Sequence, residues 1–381
     1  MNLRERALQV TPGGAQTRSK RVTVFPPDFP QFLEKAKGAH VWDVDGRRYV
    51  DWICALGAIG LGHQYPAVDE AVREQLGKGV SFSLATPIEI ETAETLQQVL
   101  PGADMVRFCK TGSEATEGAM RIARLVTGRD LIVSIGYHGW HSVHDAALPM
   151  SQGVPNAMKT LVCDAAWGSY TAFEYLEENK IKPAAVLLEA MRDAEPPAAY
   201  VSWIKQWCVK YGALLILDEM VTGFRWAIGG AGQYFSVTPD LATYGKAMAN
   251  GYPLAAIVGR QDHMQHASYV SGTFGGECVS LAAAKATIEI YQRNDVIKHI
   301  WSVGLALQRG FNVLGRDQGL QMTGYPVHPR ITGERRMEFI SHAAKNGVLF
   351  HPSGFNVSYS HTMAEVSETL VACRKALEAM Q

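Results

Sequence analysis

The chain has 381 residues, 47% of them hydrophobic, which is enough for one large domain with its own core and a smaller second one. Its 36 lysines and arginines face 37 aspartates and glutamates for a net charge of −1, without a long like-charge block, so nothing in the charge pattern suits nucleic acid. The first residues, MNLRERALQVTPGGAQTRSKR, lack the apolar core of a signal peptide, and no stretch approaches the roughly 18 apolar residues that span a bilayer; a cytoplasmic protein with no membrane partner is expected. Six scattered cysteines form no CxxC pair, which predicts buried free thiols.

Residues 40–52, HVWDVDGRRYVDW, alternate around Asp45-Gly46 and predict an antiparallel hairpin. From about residue 66 to 285 the pattern changes. Short runs that are apolar on both faces, such as MVRF at 105, LIVSI at 131, AAVLLEA at 184, ALLILDE at 213 and LAAIVG at 254, alternate with helical stretches. Such runs predict a mainly parallel sheet covered by helices, with ligands gathering at the strand C-terminal ends. The last hundred residues carry helical patterns around short strands such as GVLFHPS and predict a separate small domain. The expected fold is therefore α/β. Residues 51–285 form the large domain, and 1–50 join 286–381 in a small α+β domain.

Three stretches carry candidate chemistry. In KTGSEATEGAMRIARLVTG, residues 110–128, the spacing from Thr111 to Glu114 predicts a capping box at a helix start. A helix N-terminus after a strand and a glycine turn suits a phosphate, with Gly112 and Ser113 as donors, although such boxes also begin many helices that hold no ligand. In ALLILDEMVTGFR, residues 213–225, an apolar strand ends in Asp218 and Glu219, where an active-site carboxylate would stand and where a plain capping pair also occurs. In VTPDLATYGKAMANGYPLAAIVG, residues 237–259, a lone Lys246 lies among small residues, a setting that desolvates an amine and eases loss of its proton.

The run from 218 to 260, DEMVTGFRWAIGGAGQYFSVTPDLATYGKAMANGYPLAAIVGR, resembles the class III aminotransferases of fold type I, and within them the glutamate-1-semialdehyde 2,1-aminomutase branch. The similarity extends over nearly the whole chain. It implies pyridoxal 5'-phosphate (PLP) as cofactor, with Lys246 as the Schiff-base lysine and Asp218 as the partner of the pyridine nitrogen. A carboxylate there keeps that nitrogen protonated, so that the ring accepts the electrons of a substrate carbanion. The resemblance also sets Met220 on one ring face and Tyr137 of IGYHGWHS on the other, with His138 hydrogen bonding nearby. Gly112 and Ser113 match the family's phosphate turn. Gly272 and Thr273 match the segment by which a neighbouring subunit completes it, which implies a homodimer with its active site at the subunit interface. No metal is expected at His138, His141 and His144, because no carboxylate or cysteine pattern accompanies them in sequence.

The chain departs from the aminomutase pattern at three points. GGAQTRSKR stands where the family has a GGVNSPVR-like segment, so Thr17 keeps a hydroxyl for the substrate carboxylate while Lys20 replaces an arginine. EAMRDAEPP, from Glu189, departs from the family's Glu-Pro pattern with a nearby Asn for the cofactor's phenolic oxygen, so the sequence assigns no such partner, and the small domain is trimmed around 322–339 relative to the family. These departures point to an aminotransferase that moves an amino group from glutamate or a similar amino acid to a keto or aldehyde acceptor. The aminomutase itself is the alternative, followed by a PLP decarboxylase or racemase and by a non-catalytic binding protein.

Overall fold

The computed structural model describes residues 1–26, 28–146, 152–190 and 199–381, and its chain forms two compact units. One comprises Met1–Tyr65 with Lys298–Gln381, the other Pro66–Ile297. Residues 51–65 thus group with the N-terminal segment. The cause is a set of backbone hydrogen bonds within that unit, from Trp52 N to Leu349 O, Asn356 N to Trp52 O, Tyr359 N to Gly60 O and His63 N to Gly38 O.

In the first unit, β1 (Leu33–Lys37), β2 (His40–Asp43) and β3 (Arg48–Asp51) run antiparallel, and the short β13 (Val348–Leu349) adds in parallel beside β3. The hairpin read from Asp45-Gly46 is present. Asp43 closes it by accepting the N–H groups of Asp45 and Arg47 at 3.1 and 2.8 Å, and Gly46 supplies the left-handed residue at φ 80°. The segment around 322–332 forms a second hairpin of β11 (Gln321–Tyr325) and β12 (His328–Thr332). Phe311, Phe339, Phe350 and Phe355 fill the core, and Trp52 reaches through Nε1 to Thr369 Oγ1 at 2.9 Å.

The second unit is built on seven strands in the order β4-β10-β9-β8-β7-β5-β6. They are β4 (Met105–Cys109), β5 (Ile132–Ile135), β6 (Val162–Asp164), β7 (Ala185–Leu188), β8 (Leu214–Asp218), β9 (Leu241–Tyr244) and β10 (Ala255–Gly259). Only β10 runs against the others, pairing antiparallel with both β4 and β9. Strands β5, β7, β8, β9 and β10 are buried along their whole length, as expected of a sheet covered on both faces. Sequence patterning had not marked β6 or β9, because β6 has three residues and LATY carries little hydrophobic contrast with its flanks. Five of the six cysteines are buried and all are free thiols, and no helix among the described residues is long and apolar enough to cross a membrane.

Acid sensitivity follows from His361 in the first unit. Its ring stacks on Trp52 with centroids 4.0 Å apart, and its Nδ1 accepts from Ser358 N and Oγ at 3.1 and 2.8 Å. Burial pushes its pKa from 6.5 down to about 4, so the unfolded chain takes up a proton first as pH falls. The stability due to the neutral ring is present above about pH 6.5 and is lost between there and pH 4. A thermal-unfolding series against pH is expected to fall less steeply in that window for His361→Gln than for the natural chain.

Candidate active site

The four parallel strand ends β5, β7, β8 and β9 and the end of β4 open on the same edge of the sheet, where doubly wound folds collect ligands. Six of the candidates in the second unit lie at or just after these ends. Gly112 and Ser113 follow β4, Tyr137 and His138 follow β5, Asp218 ends β8, and Lys246 comes two residues after β9.

Asp218 is only 3% exposed, and each of its oxygens has a partner. Met220 N donates to Oδ1 at 3.1 Å, and His138 Nδ1 lies 2.8 Å from Oδ2. The other ring nitrogen, His138 Nε2, faces the Ile135 carbonyl oxygen at 3.1 Å. A carbonyl only accepts, so Nε2 donates there, and Nδ1 is the ring nitrogen that meets the carboxylate. Glu219, the next residue, points to the opposite face, as successive strand residues do. It accepts Ala231 N and Gly232 N at 2.8 Å each and the Thr222 hydroxyl, and burial pushes its carboxyl from 4.5 up to about 7. Its partners fasten a loop, so of the acidic pair only Asp218 faces the candidate site.

The helix Gly112–Thr127 begins as its sequence predicts. Thr111 Oγ1 accepts Glu114 N at 3.2 Å, and the Glu114 carboxylate accepts Thr111 N and Lys110 N at 2.8 and 2.9 Å. The N–H groups of Gly112 and Ser113 have no intrahelical acceptor by geometry. Absent side chains bring the pieces together. A Cβ on Gly112 would lie 2.9 Å from Met220 Sδ, one on Gly245 would lie 2.8 Å from the same sulfur, and one on Gly139 would lie 2.1 Å from Ser113 Oγ. Met220 therefore sits between the helix start and the turn into Lys246. Lys246 is half-buried with φ 47°, a left-handed conformation that costs a side-chain-bearing residue about 1–3 kcal/mol and persists only where neighbours enforce it.

Sequence reasoning missed three supports. Thr116 Oγ1 lies 2.8 Å from His138 O, 3.0 Å from Gly112 O and 3.1 Å from His144 Nε2, joining the helix to the loop after β5. Glu189, at the end of β7, accepts Tyr137 N at 3.1 Å through Oε2. His144 is buried, and desolvation together with the nearby His138 and His141 pushes its pKa down to about 3. The glycines at 136 and 139, with φ 107° and 114°, were the available signal that this loop turns tightly.

The remaining candidates lie elsewhere. Tyr137 is 49% exposed beside His138. Gly272 and Thr273 are exposed and line a cleft of about 280 Å³ with Lys110, Glu114, Arg121 and Tyr269. Thr17 and Lys20 belong to the first unit, where Lys20 lines a cavity of about 430 Å³ with Phe25, Phe29, Asp51 and His63. The stretch after Glu189 that departs from the aminomutase pattern falls largely in 191–198, outside the described residues. Glu117 does accompany His141 and His144, a carboxylate that sequence spacing along the loop had not revealed.

A buried aspartate at one strand end, a strained lysine after the neighbouring strand and a helix start whose first N–H groups have no intrahelical acceptor define a site for group transfer on a phosphate-bearing cofactor. The family described as Aminotransferase class-III matches residues 24–380. A 3-aminobutyryl-CoA aminotransferase of Cloacimonas acidaminovorans (strain Evry) is 33% identical over 401 residues, covering 99% of this chain and 96% of that one. A glutamate-1-semialdehyde 2,1-aminomutase of Methanocella arvoryzae is 33% identical over 425 residues, covering 100% and 98%. The solved PLP internal aldimine form of the FumI protein of Sphingopyxis sp. MTA144 is similar with a TM-score of 0.94 at 30% identity, covering 99% and 95%. The chain belongs to the class III aminotransferases, PLP-dependent enzymes of fold type I.

Gly139→Ala is expected to disturb the site from its backbone, because the added methyl meets Ser113 Oγ at a φ of 114°. The expected loss of stability is about 1–3 kcal/mol. It would be read by thermal unfolding, together with a faster release of cofactor on dialysis.

Proposed function

We propose that this chain transfers an amino group between two separate substrates, from glutamate or a similar amino acid to a keto or aldehyde acceptor. The observation that carries the reading is the buried Asp218, held on both oxygens at the end of β8, with Met220 packed between the helix start and the turn into the strained Lys246. The donor set fits PLP. Gly112 and Ser113 offer N–H groups to a phosphate, Asp218 offers a carboxylate to a ring nitrogen, and Lys246 offers an amine to an aldehyde. When bound, PLP supplies that aldehyde and a protonated ring that accepts the electron pair of a substrate carbanion.

The protein's own groups do the rest. Asp218 holds a proton on the ring nitrogen, and its bonds to His138 and Met220 N keep the carboxylate from turning away. Met220 and Tyr137 would bound the two faces of the cofactor ring and fix its plane. Lys246 Nζ takes the proton from the substrate carbon as general base and returns it as general acid. Thr17 and Lys20 receive the substrate carboxylate, and a lysine there gives a point charge where an arginine would give two aligned donors. Gly272 and Thr273 of a second copy complete the phosphate site in a homodimer, in keeping with their exposure.

Lys246→Ala is expected to lose the visible absorption of PLP-loaded protein and to lower turnover by at least ~10²–10⁴-fold, the span of acid–base contributions. A variant that kept its colour and its turnover would sink the assignment. The 33% identity to a glutamate-1-semialdehyde 2,1-aminomutase supports a second reading, in which one molecule both gives and receives the amino group. Incubation with glutamate 1-semialdehyde and no added acceptor separates the two: rapid formation of 5-aminolevulinate selects the aminomutase. Turnover that requires both an amino acid and a carbonyl compound selects the transferase.

A further inference from the structure

One hydroxyl fastens the helix Gly112–Thr127 to the loop after β5, and it also prepares an imidazole. Thr116 Oγ1 has a single hydrogen and lies near carbonyl oxygens of Gly112, Ser113 and His138, at 3.0, 3.2 and 2.8 Å. Having donated to one of them, it accepts the hydrogen of His144 Nε2 at 3.1 Å, which leaves the lone pair of His144 on Nδ1. Glu117 is the next residue along the helix, and His141 precedes His144 by three residues on the loop. One potential ligand atom from each of Glu117, His141 and His144 lies within 4.8 Å of the other two.

Two imidazoles and one carboxylate are the protein ligands of a three-coordinate zinc site with an open fourth position. A ligating histidine whose other N–H is held by a protein acceptor is the usual support of such a site. Zinc bonds of roughly 2.0–2.1 Å in tetrahedral geometry set ligand atoms about 3.3 Å apart, so the three groups would close by up to about 1.5 Å on binding. Glu117 and His141 are half-buried, while His144 is buried and already oriented. The amino-transfer chemistry has no use for these three residues.

We propose that Glu117, His141 and His144 form a site for a zinc-class divalent cation that bridges the helix Gly112–Thr127 to the loop carrying Tyr137 and His138. The site stands apart from the assignment of Lys246 and Asp218. The test uses metal-stripped, PLP-loaded protein titrated with Zn²⁺ by calorimetry, beside Glu117→Gln and His141→Ala, with circular dichroism confirming that each variant is folded. The expected result is one zinc per chain in the natural protein and an affinity at least about tenfold weaker in each variant. Absence of uptake by the natural protein overturns the site. Uptake that both folded variants retain at full affinity also overturns it, by assigning the metal to other groups such as the thiols.

Discussion

A carboxylate removed from water must have its lone pairs occupied, and the active-site end of this sheet is organised around meeting that requirement at Asp218. His138 does so across a distance the strand order sets. It leaves β5, while Asp218 ends β8, and β7 lies between them. The loop therefore spans two strand spacings, roughly 9–10 Å, to bring Nδ1 onto the carboxylate. Glu189 at the end of the intervening strand takes Tyr137 N on the way, and Ile135 O fixes the far side of the imidazole. The pairing of His138 with Asp218 is thus a product of sheet topology as much as of side-chain chemistry.

Strain and close approach supply the second constraint. Lys246 holds a left-handed backbone, and Gly112, Gly139 and Gly245 each stand where a methyl would meet sulfur, hydroxyl or backbone. These positions trade conformational preference for proximity, and the enclosing sheet meets the cost. Met220 is the common neighbour. Its thioether fills the space left by two glycines from separate segments, which couples the helix start to the turn at Lys246 without a hydrogen bond.

The helix Gly112–Thr127 acts as the rigid post for this end of the sheet. Its start is closed by the Thr111–Glu114 box, and its first turn anchors the loop after β5 through Thr116 and Ser113, the latter accepting Trp140 N at 3.3 Å. Glu117, one position beyond Thr116, faces the same loop and turns two histidines that look like surface residues in sequence into a three-ligand cluster.

By itself the sequence determined the local and the covalent. The hairpin at Asp45-Gly46, the capped helix after β4, the strand ending in Asp218 and the class III run from Asp218 to Arg260 were legible because turn chemistry, capping and apolar runs act over a few residues. Only the tertiary structure decided which groups meet. That Asp218 faces His138 while Glu219 clamps the loop at Ala231 follows from strand alternation combined with strand order. That Thr116 holds His144, Glu189 holds Tyr137 N and Glu117 joins the histidines depends on elements far apart in the chain being packed together, and spacing along a sequence carries no measure of that distance.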